Sequence, residues 1–119
     1  MAKVRVYSPE SHQFAVEQFC KLVGCSFSIG DRYSWPGTDR QPYCVYLMVL
    51  TKDQAKRVRE LFKPLCPTDN LSTLVKGVVD GYKASIDLDV AGMTTPTSGA
   101  IGAGRKLREL IAASLPLPS

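Results

Sequence analysis

A glycine-rich run at residues 98–106 contains the residue types from which phosphate sites are built. Gly102 and Gly104 leave their backbone amides uncrowded, and Arg105 and Lys106 follow as adjacent cations. Amides at the start of a helix point toward an anion, and the helix dipole favours its negative charge. Arg105 stands where a P-loop has lysine, so the run does not match a nucleotide fingerprint. It predicts a generic anion site, with a hinge or a closely packed helix as the alternatives.

A second candidate is the polar and aromatic segment 31–43, which contains the only tryptophan of the chain, Trp35. Arg32, Tyr33 and Arg40 belong to the same segment. Aromatic faces stack nucleobases, and arginines bind phosphates. The same residue types dominate protein–protein hot spots. The segment therefore predicts a binding loop for a nucleic acid, a nucleotide or a protein partner, or else a loop in which Trp35 covers the core.

The third candidate is the exposed side of the first predicted strand. Lys3, Arg5 and Tyr7 alternate with two valines, so they point away from the core if the valines face it. A basic and aromatic sheet face is the surface on which RNA-recognition modules stack bases, although their diagnostic motif is absent here. The alternative use of this face is dimerisation, because residues 43–50 are apolar on both sides.

Residues suited to catalysis are few. Asp87 and Asp89 would share one face of a strand and could hold a magnesium ion, as in a nuclease, or simply form its wet side. His12 is the only histidine and has no evident partner in the sequence. The four cysteines form no C-x-x-C pair, so they are interpreted as small buried apolar residues. We expect no catalytic site, metal or cofactor.

The elements that position these candidates follow from local patterns. Residues 3–7 and 25–29 alternate as strands do, and residues 43–50 predict a central strand. Ser8 is the expected N-cap of a first helix, with Pro9 as its first residue and Gly24 at its end. The Thr51–Gln54 spacing predicts a capping box and a second helix, whose many cations are interpreted as a solvated or a phosphate-contacting face.

The second half of the chain is read from a turn signal. Asp80-Gly81 is a favoured hairpin turn, and residues 82–90 alternate between apolar and polar side chains. These features predict a hairpin of residues 74–79 with residues 82–90, although a helix over 71–79 also fits. A last helix follows the glycine run or begins near Thr97. The predicted fold is α+β: a ferredoxin-like β-α-β-β-α-β core with an extra hairpin strand, a C-terminal helix and an antiparallel sheet.

The length, charge and apolar content of the chain restrict the classes of function that are possible. The 119 residues predict a single domain over 1–115 and a frayed tail at 116–119. The net charge of +4 favours acidic partners, and the longest apolar run, 44–50, is too short to cross a bilayer. We expect a cytoplasmic, non-enzymatic module that binds a polyanion, either nucleic acid or nucleotide. The alternatives are a protein-binding inhibitor, such as a viral or mobile-element accessory protein, and a metal-dependent nuclease.

Overall fold

The computed structural model describes residues 1–33, 43–94 and 96–114. They form strand β1 (Ala2–Pro9), a short 3-10 turn (Glu10–His12), helix α1 (Gln13–Val23), strands β2 (Phe27–Tyr33) and β3 (Tyr43–Leu50), and helices α2 (Lys52–Phe62), α3 (Leu71–Val90) and α4 (Gly99–Ser114). Within these ranges, no helix is both long and apolar enough to cross a membrane. The predicted α+β class is confirmed, whereas the ferredoxin-like core and the extra hairpin are not.

The strands form one antiparallel sheet in the order β1-β3-β2, so β3 lies in the centre as predicted. Val4 pairs with Met48, and Val6 pairs with Tyr46. All four side chains are buried in the core. Since neighbouring residues of a strand point to opposite faces, the intervening residues of β1 and β3 point away from this core.

The helices cover one face of the sheet. Apolar side chains of α1, α2 and α3 form a single core with those of the strands. Phe19 of α1 and Phe62 of α2 contact each other there, with ring centroids 6.4 Å apart. Helix α4 packs mainly on α3 and adds Ala103 and Leu107 to the same core. The second face of the sheet is left open by the described helices.

Helix ends in the first half of the chain follow their local signals. Gly24 ends α1 with φ of 86°, a left-handed conformation that glycine adopts without strain. At α2, the Thr51 hydroxyl accepts the Gln54 amide at 3.1 Å, and the Gln54 side chain accepts the Thr51 amide at 2.9 Å. Helix α2 ends at Phe62, just before Pro64. The predicted glycine stop and capping box are therefore confirmed.

The beginning of the first helix was predicted too early. Ser8 and Pro9 belong to the end of β1, and the 3-10 turn separates them from α1. The Ser8 hydroxyl donates to Asp80 Oδ1 of α3 at 2.8 Å, so it connects two distant elements and caps no helix. Similarly, β2 begins at Phe27, two residues later than predicted.

The predicted hairpin at Asp80-Gly81 is wrong, because residues 71–90 form the continuous helix α3. Burial separates the two interpretations. A strand over 82–90 would bury Val90 on its apolar face and expose Ser85. In the structure Ser85 is fully buried and Val90 is 84% exposed. The alternation of apolar residues over 82–90 therefore occurs within a helix, and the buried side of this helix includes the polar residue Ser85.

Signals for this helix were present in the sequence. The Asn70 side chain accepts an amide of the first turn, as an N-cap residue does. Lys76 pairs with Asp80, and Lys83 with Asp87, each four residues apart on the helix surface. These local interactions, together with packing of the apolar side, outweigh the strand pattern.

Helix α3 also lies beside β1, where a split β-α-β sheet would have its fourth strand. The backbone amide of Arg5 donates to Ser72 Oγ of α3 at 3.1 Å. Further along β1 and α3, the Ser8 hydroxyl donates to the Asp80 carboxylate. The sheet of the described residues therefore has three strands.

Helices α3 and α4 cross at very short distance through two glycines. A Cβ atom on Gly104 would lie 1.9 Å from the Tyr82 nitrogen, and one on Gly81 would lie 1.7 Å from the Ala100 oxygen. Both distances are far below van der Waals contact, so neither position has room for a side chain. The closely packed helix, one of the alternatives for the glycine run, is the arrangement observed.

Candidate binding surface

The sequence predictions fall on three separate parts of the molecule. Lys3, Arg5 and Tyr7 share the exposed side of β1. The residues of the glycine run lie on α4, on the helical side. Arg32 and Tyr33 end β2, while Trp35 and Arg40 lie outside the described residues. The structure thus brings the β1 residues together but does not bring α4 to them.

The uncovered side of the sheet, which we call the open sheet face, contains alternate residues of all three strands. Its described members include Lys3, Arg5, Tyr7, Ser28, Gly30, Tyr43, Val45, Leu47 and Val49. Tyr7 is 47% exposed and Val49 is 48% exposed, which is high for large side chains on a sheet. Lys3 and Arg5 are exposed as well, whereas Val45 is buried. The face is therefore a basic edge beside an apolar centre.

Cross-strand register fixes how these side chains are arranged. Lys3 pairs with Val49, Arg5 with Leu47, and Tyr7 with Val45. Successive side chains on one face of a strand are roughly 7 Å apart, since each residue rises about 3.3 Å. The two cations and the tyrosine thus form a row along β1, each next to an apolar residue of β3.

The charge of the open sheet face is unbalanced. Its described members include two cations and no carboxylate, and neither Lys3 nor Arg5 forms an ion pair with a described residue. An unpaired cation in water keeps its full charge available to an incoming anion. The face can therefore attract negative groups without first breaking an internal salt bridge.

The segment 31–43 departs from the same end of the sheet. Tyr33 pairs with Tyr43, and Tyr43 pairs on its other side with Pro9. A register shift in β2 precedes this point, between Ile29 and Arg32. Tyr43 thus lies one strand away from the Pro9 end of β1, and Tyr33 lies two strands away.

The glycine run itself is engaged in packing. Gly102 and Gly104 are buried within α4, and the Gly102 amide donates to the Ser98 carbonyl at 3.3 Å. The Gly104 amide lies inside the helix, where such groups bond to the carbonyl four residues earlier. These amides are not free donors at a helix start, which was the basis for the anion site. Ligand binding by this run stays a prediction.

The two cations of the run also have partners in the protein. Arg105 Nε lies 3.4 Å from Glu109 Oε1, and Lys106 Nζ donates to the Leu61 carbonyl at 2.8 Å. Two shallow depressions of about 320 Å³ each flank the Arg105–Glu109 pair. Because a carboxylate lines both of them, this surface is less favourable for an anion than the open sheet face.

The premise of the nuclease alternative is wrong. Asp87 and Asp89 are two residues apart on a helix, which directs them to different sides. Asp87 pairs with Lys83 at 3.0 Å, and Asp89 pairs with Arg108 of α4. Among the described residues, no group of three acids, histidines or cysteines is arranged to hold a metal ion.

Sequence reasoning missed one polar cluster, which surrounds Asp80. Its carboxylate accepts from the Ser8 hydroxyl and from His12 Nδ1, both at 2.8 Å, and from Lys76. Burial would raise the pKa of Asp80, but hydrogen bonds from His12, Lys76 and Ser8 outweigh it and lower the pKa. Only the Lys76–Asp80 spacing was a sequence signal for this cluster.

The cluster is not a nucleophilic triad. Ser8 is fully buried and donates to the carboxylate, so its oxygen is not activated by the histidine. Asp80 instead connects β1, the 3-10 turn and α3. We interpret the cluster as a structural tie.

The cations of α2 form a further exposed surface, mixed with acids. Lys56 lies 3.9 Å from Glu60, and Lys63 pairs with Asp69 at 2.6 Å. This pattern is typical of a solvated helix face. It makes α2 a suitable control surface for tests of the open sheet face.

Comparison of the chain with protein-family models, with curated proteins and with solved structures found no match in any of the three. A functional conclusion therefore depends on the surfaces described above. Of these, the open sheet face alone combines cations without partners and an exposed aromatic ring among the described residues.

Proposed function

We propose that this protein is a non-enzymatic module that binds a polyanion, with nucleic acid as the leading ligand, on the open sheet face. One observation carries the proposal: Lys3, Arg5 and Tyr7 form an exposed row in which the cations have no described carboxylate partner. Lysine and arginine bind phosphates, and an exposed tyrosine stacks a base.

The apolar centre of the face supports a ligand with bases in addition to phosphates. Leu47 and Val49 lie directly beside Arg5 and Lys3. Single-stranded nucleic acid presents its charged backbone and its apolar base faces side by side, which fits a basic row next to an apolar strip. A small inorganic anion would use only the two cations.

The segment 31–43 is proposed as an extension of the same surface. Its chain ends lie beside the Tyr7 end of β1 through the Tyr33–Tyr43–Pro9 register. Trp35 and Arg40 would then add stacking and charge to the row, whereas Arg32 pairs with Cys44, a residue of the core side. The residues Gly102, Gly104, Arg105 and Lys106 are left outside this proposed site, because α4 lies on the helical side.

The test is a titration of a fluorescently labelled single-stranded oligonucleotide by anisotropy at several salt concentrations. We compare Lys3→Gln/Arg5→Gln with the matched control Lys52→Gln/Arg57→Gln, which removes two exposed charges from α2. The open-face variant should bind at least about tenfold more weakly at low salt, and the magnitude of its slope of log affinity against log salt should fall by about 1.4. The control should keep wild-type affinity.

Three results would overturn the proposal. The first is wild-type binding that is absent at low salt or independent of salt. The second is equal loss in both double variants, which would indicate only general attraction by net charge. Loss in the α2 variant alone would move the site to that helix.

A second candidate is supported by the exposure of Val49 and Tyr7 on the same face. An apolar patch of this kind is typical of a protein interface, either with a target protein or with a second copy. Val49→Lys should then abolish a dimer seen by sedimentation equilibrium. A monomeric wild type would exclude the second copy as the occupant.

A further inference from the structure

Two cysteines that are five residues apart meet at the end of α1. Gly24 turns the chain with φ of 86°, and the amides of Gly24 and Cys25 both donate to the Cys20 carbonyl, at 2.8 and 3.1 Å. The bond from Cys25 to Cys20 is the 6→1 bond of a Schellman-type helix end, where the residues at the two ends of the turn frequently contact each other. Here both of those residues are cysteines.

The two thiols also differ in exposure. Cys20 is buried, whereas Cys25 is half-buried and therefore reachable from solvent. A hydrogen bond between their side chains lowers the pKa of Cys25, and the same bond together with burial raises the pKa of Cys20.

From this geometry we propose that Cys20 and Cys25 form a reversible disulfide when the protein reacts with a peroxide. The backbone turn already joins the two residues through the hydrogen bond from the Cys25 amide to the Cys20 carbonyl. The proposal is independent of the polyanion site.

The chemistry balances with hydrogen peroxide as the oxidant. The Cys25 thiolate attacks one peroxide oxygen, the O–O bond breaks, and hydroxide leaves as water after taking up the proton. Cys25 is then a sulfenic acid. The Cys20 sulfur attacks the Cys25 sulfur, the S–O bond breaks, and a second water leaves with the Cys20 proton. Both sulfurs are oxidised, and the two peroxide oxygens are reduced.

The other two cysteines are internal controls. Cys44 lies on β3 and is fully buried in the core. Cys66 is half-buried, and its sulfur lies near Gly77 of α3, where an added Cβ would be 3.2 Å away. All four cysteines are free thiols in the structure. Selective oxidation of the Cys20–Cys25 pair would therefore reflect the turn geometry.

A tryptic map without reduction tests the proposal directly, because Lys21 lies between the two cysteines. Reduced protein is treated with hydrogen peroxide, alkylated and digested. The expected product is the peptide of residues 6–21 linked to that of residues 22–32, with loss of two hydrogen atoms. Cys44 and Cys66 should appear alkylated, and dithiothreitol should separate the linked peptides.

Two variants identify the order of attack. Cys20→Ser should stop at the Cys25 sulfenic acid, which dimedone labels, and Cys25→Ser should give neither the link nor the label. The proposal is overturned if the wild type yields no linked peptide, if Cys25 proceeds to sulfinic acid without a link, or if Cys66 oxidises first. The wild-type map alone decides the question if a variant does not fold.

Discussion

The crossing of α3 and α4 and the open sheet face contain residue types that suggest the same chemistry. Each places cations beside uncrowded or aromatic groups, and each was a candidate phosphate site in the sequence. At the crossing, Gly81 and Gly104 each lie against the backbone of the other helix, and Arg105 and Arg108 pair with carboxylates. On the open sheet face, Lys3 and Arg5 stay exposed.

The difference teaches that a glycine-rich basic run has two uses that only packing separates. Glycine permits close approach of a ligand and of another helix for the same reason, the absence of a Cβ atom. A cation on a two-residue strand period has fewer alternatives, because the pleat directs it away from the core. The strand pattern was therefore the more reliable guide to an available surface.

The largest expected effect is at the crossing. Gly104→Ala should destabilise the protein by about 3 kcal/mol, because the new methyl group meets backbone atoms that cannot move aside. Gly77→Ala is the matched control on α3, since its Cβ would contact the Cys66 sulfur at 3.2 Å and the Ala100 side chain at 3.8 Å. We expect its effect to stay within about 1 kcal/mol, as alanine is the better helix former. Urea unfolding measures both, and equal effects would contradict the close-crossing interpretation.

An intermediate effect is expected at Asp80, which ties the sheet to α3. Asp80→Asn should cost about 1–2 kcal/mol at pH 7, because the charged acceptor of three donors is lost. The control is Asp87→Asn, which has the same i−4 lysine arrangement but lies exposed. It should change stability by less than about 0.5 kcal/mol.

The effect of Asp80→Asn has a defined pH dependence. The folded pKa of Asp80 lies below the ordinary value of 3.8, so the charge stabilises the fold fully above that pH. This stabilisation is lost as the pH falls through the lower, folded pKa. The difference between wild type and Asp80→Asn should therefore shrink in urea unfolding below about pH 4. A difference that is constant between pH 7 and pH 3 would show that the carboxylate charge plays no part.

The smallest effect on stability is expected on the open sheet face. Lys3→Gln/Arg5→Gln should change the free energy of unfolding by less than about 0.5 kcal/mol, since exposed side chains without partners contribute little. Thermal unfolding measures the stability of this variant. A loss of oligonucleotide affinity without a loss of stability would show that the two cations serve binding and not the fold. A destabilisation above about 1 kcal/mol would mean that these cations support the fold.

Local signals predicted the first half of the fold well. The alternation of β1, the glycine stop after α1 and the Thr51 capping box each depend on interactions within a few residues. Their outcome is therefore visible in a short window of sequence.

Residues 74–90 were mispredicted as a hairpin because two periodicities coincide there, whereas the last helix was predicted correctly. Residues 82–90 alternate as a strand does, yet burial of Ser85 and the contact of Gly81 with α4 depend on residues 19 or more positions away. The Asp80 cluster was missed for the same reason, since Ser8 and Asp80 are 72 positions apart. Within the candidate site, the exposure of Lys3, Arg5 and Tyr7 was predicted correctly because it depends on strand alternation alone.

The hydrogen bond from Arg5 to Ser72 has a consequence for assembly. Edge strands normally invite another chain to extend the sheet, which leads to β-strand addition or to aggregation. Helix α3 obstructs the addition of a strand at the outer edge of β1. Any chain that lengthens this sheet must therefore add beside β2, which gives the sheet a single direction of growth.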